Sequence, residues 1–157
     1  MNSNDENEIF ALRSDERVLE YIDIPKAETV DDARKFIENI NKNLSDNKSI
    51  MWAICTKNTQ TLIGTICFWN IDKENLVAET GYMLHPDFQG KGIMQETLQK
   101  IIDYGFTKMK LKAIIADSHA NNTPSIKLLE RNGFKFTSKS PEADYVIYTL
   151  PYQTLGN

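Results

Sequence analysis

A chain of 157 residues with 41% apolar side chains is long enough for one well-buried core and short for two, so a single domain over residues 1–157 is expected. The longest nearly unbroken apolar run, "LIGTICFW" at Leu62 to Trp69, is far short of a bilayer span, and the opening "MNSNDENE" is too polar for a signal peptide; no membrane association and a cytoplasmic location are expected. A formal net charge of −4 argues against nucleic acid as a partner, yet eight Lys or Arg against three acids between Leu98 and Ser140 give +5 there and leave −9 for the remainder.

The chain opens with a capping-box pattern, Ser3 followed by Glu6, and the spacing of Ile9, Phe10 and Leu12 predicts a helix. A second helix is predicted after Thr29, with Asp32 three residues on, through Phe36, Ile37 and Ile40 to about Asp46. From Ile50 the period shortens. "IMWAICTK", the turn "NTQ" and "TLIGTICFWN" read as a hairpin, and "NLVAETGYML" follows a second turn near Asp72, which makes an antiparallel meander. A helix over Gly90 to Lys108 buries Met94, Leu98, Ile101, Ile102 and Phe106. "LKAIIAD" is mostly apolar and flanked by helices, as a parallel strand would be; a helix over Thr123 to Asn132 ends at Gly133, and "FKFTSK" with "DYVIYTL" closes the chain as an antiparallel pair. The order predicts an α+β or mixed α/β fold around a central sheet. Cys55 and Cys67 have no metal or redox spacing, so buried free thiols and no metal site are expected.

Gly90 and Gly92 bracket Lys91 where a strand and short loop run into a helix. Missing side chains let an anion approach the backbone, and the unpaired N–H groups of a helix start supply positive potential, so phosphate or pyrophosphate is the expected guest. A structural turn explains the glycines equally well. A dinucleotide GxGxxG fails because Gln95 holds its third position, and no P-loop pattern occurs.

"QGKGIM", Gln89 to Met94, resembles the Q/R-x-x-G-x-G/A signature of the GNAT superfamily of acyl-CoA-dependent N-acetyltransferases, matching at Gln89 and Gly92, with Met94 departing from the final small residue. "NTPSIKLLERNGF", Asn122 to Phe134, is similar to that superfamily's second mark, N-x-x-S/A-x-x-x-x-E-x-x-GF. The likeness runs from about Val30 to Leu150 and is closest to the ribosomal-protein N-terminal acetyltransferases, whose first helices "IFALRSDERVLEYI" also resembles. It implies a mixed, mostly antiparallel sheet of about six strands flanked by helices. Family members usually begin with a strand that this sequence lacks, so either the sheet is without that edge or another chain or a longer N-terminus supplies it, and a homodimer is worth testing.

The resemblance implies an acetyl-CoA cosubstrate and an amine acceptor, with backbone amides of Gln89, Gly90, Lys91, Gly92, Ile93 and Met94 cradling the pyrophosphate. It implies that the backbone of Tyr82, Met83 and Leu84 pairs with the pantetheine arm and that an N–H near Met83 or Leu84 polarises the thioester carbonyl. Glu79 interrupts an apolar strand, where an unpaired carboxylate is costly; it is the candidate general base, or else a salt-bridged strand glutamate. Asn122 is implied to orient pantetheine and Ser125 to sit near the sulfur or the phosphates, although Asn122 before Thr123 and Pro124 is equally a helix cap. A tyrosine general acid that many members place four residues after the Ser/Ala position is Leu129 here, so Ser125 or solvent must protonate the thiolate. His85 and His119 read as loop residues, and Trp52, Trp69 and Tyr82 as core or pocket lining. The expected acceptor is a protein N-terminal α-amine, with a polyamine or amino sugar as the alternative, and a non-catalytic CoA-binding sensor as a reading from another class.

Overall fold

The structure, a computed structural model, describes residues 1–152. Its order is α1 (Glu6–Ser14), α2 (Glu16–Leu19), α3 (Val30–Ser45), β1 (Ile50–Cys55), β2 (Leu62–Asp72), β3 (Val77–Leu84), α4 (Ile93–Thr107), β4 (Ala113–His119), α5 (Thr123–Arg131), β5 (Lys135–Lys139) and β6 (Tyr145–Pro151). The predicted α+β arrangement is present as one six-stranded sheet in the order β1-β2-β3-β4-β6-β5, antiparallel throughout except for the β3–β4 pair. The last pair is antiparallel as expected, but β6 inserts between β4 and β5. Among the described residues β1 pairs only with β2 and forms one edge.

Local chemistry sets most boundaries. Thr29 Oγ1 accepts the Asp32 N–H while the Asp32 carboxylate accepts the Thr29 N–H, a full capping box at the start of α3. The capping pair expected at Ser3 and Glu6 rests on a Ser3 side chain that lies outside what is described; the box that forms uses Asn2 and Asp5 and opens a 3-10 turn before α1. α4 begins at Ile93 rather than Gly90, because Gly90 (φ 71°) and Gly92 (φ 77°) are left-handed and cannot belong to a right-handed helix. β4 begins two residues later than predicted and ends at His119: the Leu111 and Lys112 amides donate to Gly105 and Leu76, outside the ladder. His119 is therefore a strand residue, not a loop residue.

Two apolar clusters cover the sheet unequally. On one face Leu98 and Ile101 of α4 and Leu129 of α5 pack with Ile66, Phe68, Ala78 and Ile114 from the central strands. On the other, α1 and α3 bring Ile9, Leu12, Ala33 and Ile37 onto Leu62, with Ala53 and Met83 alongside. This second layer reaches only the β1 to β3 side. Where it stops, the alternate residues of β3, β4 and β6 floor an open cleft.

Candidate active site

Three features of the fold meet at the centre of the sheet. The first is a wedge. β3 and β4 pair only at Val77, Ala78 and Glu79 with Ala113, Ile114 and Ile115, whereas β3 stays paired to β2 as far as Leu84 and β4 to β6 as far as His119. Beyond Glu79 the two parallel strands diverge, so the backbone of Tyr82 and Met83 faces open space on that side. The Leu84 carbonyl accepts from Gln89 Nε2 at 2.9 Å, which ties the following loop to the strand end.

The second is that loop. The Gln89 amide donates to the Pro86 carbonyl at 3.1 Å, so it is not free for an anion as the sequence reading expected. The amides of Gly90, Lys91, Gly92, Ile93 and Met94 have no acceptor among the described residues, and a Cβ at Gly90 or Gly92 would meet nothing within 4 Å. Five amides without acceptors at the start of a fifteen-residue helix have the geometry that suits an anion. The Lys91 ammonium folds back, donating to the Asp87 carbonyl at 2.8 Å and lying over the Phe88 ring. Ile93 and Met94 point the other way, into the main core. Gln95, whose presence spoils a dinucleotide pattern, exchanges two hydrogen bonds with Asn132 and so fixes α4 against the end of α5.

The third is the cleft, about 760 Å³, into which Glu79 projects between Trp69 and Ile115. Burial first, then the repulsion of Asp117 and Glu142, holds its carboxyl above the ordinary range, with Asn70 Nδ2 donating weakly at 3.4 Å against that trend. A carboxylate of raised basicity in a partly desolvated cleft can take a proton from an ammonium. It forms no ion pair with Lys or Arg among the described residues, which sets aside the salt-bridged alternative.

Ser125 and Asn122 line the same cleft. Asn122 Oδ1 accepts the Ser125 N–H at 3.2 Å and is the cap of α5. Ser125 Oγ lies 2.9 Å from the Tyr82 phenol, whose burial pushes it up to about 12 and keeps it protonated. Tyr82 thus brings its phenol into hydrogen-bond contact with Ser125, where the sequence reading gave its backbone a role and its side chain only core or pocket lining.

Several cleft residues escaped that reading. Asp117 and His119 follow Ile115 at alternate positions of β4, on the face of Glu79, and Tyr145 pairs with His119 across β6. His119 sits against both Tyr21 and Tyr145, and the Tyr145 hydroxyl donates to the Tyr21 carbonyl at 3.2 Å, pinning the segment after α2 over the cleft. The alternation in "IIADSH" carries the signal for Asp117, but only once β4 is known to lie beside β3. Trp69 is 49% exposed and lines the cleft, while Trp52 packs edge-on against Phe68 and Tyr104 in the core. His85 caps the short turn Pro86–Phe88 and is not part of the cleft lining. Cys67 is half-buried, but Cys55 is exposed, not buried, because it ends an edge strand at a bulge. No cluster of metal-ligating side chains occurs among the described residues.

The donor set fits coenzyme A as a ligand. Free amides suit its phosphates, the wedge offers strand-like pairing to its amide arm, and the Thr80 hydroxyl, buried on β3 along this cleft, has no hydrogen-bond partner.

Comparison with known proteins agrees. The profile of the acetyltransferase (GNAT) domain matches residues 1–135. The chain is 41% identical over 132 residues to an "Uncharacterized N-acetyltransferase p20" of Bacillus licheniformis, covering 84% of this chain and 73% of the relative. It is 32% identical over 85 residues to the ribosomal-protein-serine acetyltransferase of Escherichia coli, 54% of this chain and 48% of that one. The spermidine N-acetyltransferase of Vibrio cholerae, solved with CoA and spermine, superposes with a TM-score of 0.84 at 22% identity, over 96% of this chain and 92% of that one. With a wedged sheet, a glycine-bracketed amide cradle and a family profile spanning most of its length, the chain belongs to the GNAT acetyltransferase family and is an acetyl-CoA-dependent N-acetyltransferase.

Proposed function

We propose that the acceptor is a primary amine arriving as an ammonium ion, and that it is the α-amine of a polypeptide N-terminus. The observation that carries the cationic acceptor is the charge of the cleft. Asp23, Glu79, Asp117 and Glu142 line it, and none has an ion-pair partner among the described residues. Among the described residues Arg13 is the one Lys or Arg in the lining, and it is occupied, stacked over Phe36 and donating to the Pro25 carbonyl. Carboxylates facing one another in a partly desolvated cleft repel, and a bound cation relieves that repulsion.

Two considerations favour an α-amine. The cleft runs open from Arg13 and Phe36 across the sheet to Ser140 and Glu142, room for the first residues of an extended chain. An amine of pKa near 8 is already about a tenth neutral at pH 7, so it asks little of a base such as Glu79, which has one weak donor in the partly desolvated cleft. The ribosomal-protein-serine acetyltransferase among the relatives points the same way. Two unpaired thiols, Cys55 and Cys67, fit a reducing compartment, the cytoplasm.

In this reading the free amides from Gly90 to Met94 hold the pyrophosphate, the diverging backbone of Tyr82 and Met83 pairs with the pantetheine arm, and Glu79 takes the proton the attacking amine releases. Asn122 and Ser125 stand at the thioester end. A polyamine is the second reading, favoured by the number of carboxylates, which exceeds what one ammonium needs.

The test is thiol release from acetyl-CoA across a panel of N-terminal peptides, polyamines and amino sugars. Peptides with free α-amines turning over best, and losing all activity when N-terminally blocked, is the expected result. Preferred turnover of polyamines transfers the assignment to the second reading, and CoA binding without thiol release on any amine leaves a sensor module.

A further inference from the structure

We infer that Tyr82 is a positioning residue for departure of the leaving thiolate: its phenol donates to Ser125 Oγ and so turns the Ser125 hydroxyl hydrogen toward the sulfur. Tyr82 comes from β3 and Ser125 from the first turn of α5, and their oxygens stand 2.9 Å apart in the wall of the cleft that holds Glu79. The Tyr82 ring packs against the main core, which leaves the hydroxyl a single position and a single partner among the described residues.

Proton geometry follows from chemistry. A phenol is a far stronger acid than an alkyl hydroxyl, so within this pair the tyrosine donates and the serine oxygen accepts. Asn122 Oδ1 takes the Ser125 amide, not its hydroxyl. No other acceptor for the Ser125 hydroxyl occurs among the described residues, so its hydrogen is left to the cleft. At the helix position four residues beyond Ser125, Leu129 is fully buried and offers no hydroxyl; β3 supplies one from the opposite side.

The step balances without a further reagent. The amine lone pair forms the C–N bond, the carbonyl pair moves to oxygen and returns, and the C–S bond breaks with its electrons on sulfur. Nitrogen gives its proton to Glu79 or water, the Ser125 hydroxyl donates a hydrogen bond to the developing thiolate, and solvent then protonates the sulfur. A hydroxyl polarised by an accepted hydrogen bond is the stronger donor, which is what Tyr82 adds.

The inference rests on the cleft being the site of transfer, and its test needs no acceptor. CoA bound to the wild-type protein is titrated by the ultraviolet absorbance of its thiolate, and the titration is repeated with Tyr82→Phe, which keeps the ring, with Ser125→Ala, and with both. The bound thiol's pKa is expected to rise by about one unit in Ser125→Ala, as for loss of one charge-assisted hydrogen bond, by a smaller measurable amount in Tyr82→Phe, and in the double variant no further than in Ser125→Ala. With whichever amine the panel identifies, kcat falls about tenfold in Ser125→Ala and by a smaller factor in Tyr82→Phe, both at unchanged acetyl-CoA KM, since one pKa unit corresponds to a factor of ten. A bound-thiol pKa equal in wild type and Tyr82→Phe overturns the inference, as do additive effects in the double variant. Because the titration involves no amine, an error in the acceptor assignment leaves its outcome readable.

Discussion

Replacing Glu79 with glutamine removes one negative charge from the cleft floor and keeps the shape of the side chain. The remaining carbonyl oxygen can still accept from Asn70 Nδ2, so the fold has no reason to change. The Glu79 carboxyl sits above its ordinary 4.5 because of burial and then Asp117 and Glu142. A raised carboxyl is more easily protonated in the folded chain than in the unfolded one, so its penalty on folding develops as pH rises from 4.5 to the raised value and persists above it. Glu79→Gln should therefore melt at the same temperature or slightly higher at neutral pH, with the difference vanishing in acid. Turnover should move the other way. With an α-amine, about a tenth neutral at pH 7, the loss is about tenfold; with an amine of pKa near 10.4, neutral about once in a few thousand, it reaches about a hundredfold or more. Steady-state kcat/KM against pH, beside calorimetric affinity for acetyl-CoA, reads both effects: the variant loses the acid limb and retains affinity. A superimposable pH profile, or a loss of acetyl-CoA affinity that accounts for the loss of rate, would refute the role of Glu79 as base.

Three further predictions concern the scaffold. Gly92→Val forces a β-branched residue into φ 77°, and calorimetry should find acetyl-CoA affinity down by about tenfold or more, from strain of about 1–2 kcal/mol and a side chain over the amide cradle; tight binding would dissociate the loop from the cosubstrate. Gly64→Ala would place a Cβ 2.5 Å from the Met83 carbonyl oxygen, a backbone atom of the paired strand, and urea unfolding should show a loss of about 3 kcal/mol. Burial pushes the Cys67 thiol up to about 11, whereas Cys55 is exposed, so at about pH 8 a thiol reagent should label Cys55 alone until the protein unfolds.

Much of the fold could be read in advance because its signals are local. Thr29 with Asp32, the shift from helical to alternating period at Ile50, and Gly133 after the last helix each act within a few residues, and the chain obeys all three. The glycine-bracketed helix start announced a run of unpaired amides for the same reason. Misreadings arose from backbone conformation that residue type does not specify in two places and from a distant strand in a third. The Gln89 amide is taken by Pro86 in a 3-10 turn, α4 waits for Ile93 because two left-handed glycines precede it, and β4 takes in His119 because β6 pairs with it to that point.

The sequence by itself determined the element order, the meander, the amide cradle and Glu79 as the carboxylate out of place in an apolar strand, since propensity, period and the scarcity of charge in strands are properties of neighbouring residues. Only the tertiary structure decided what surrounds that carboxylate. Asp23, Asp117 and Glu142 come from separate segments and share the cleft with Glu79 only because the layer formed by α1 and α3 stops short of β4 and β6. The Tyr82–Ser125 contact likewise joins residues 43 apart, through a strand that splays from its neighbour beneath the start of a helix. A hydrogen bond or a repulsion between side chains depends on separation in space, and separation in space is set by packing.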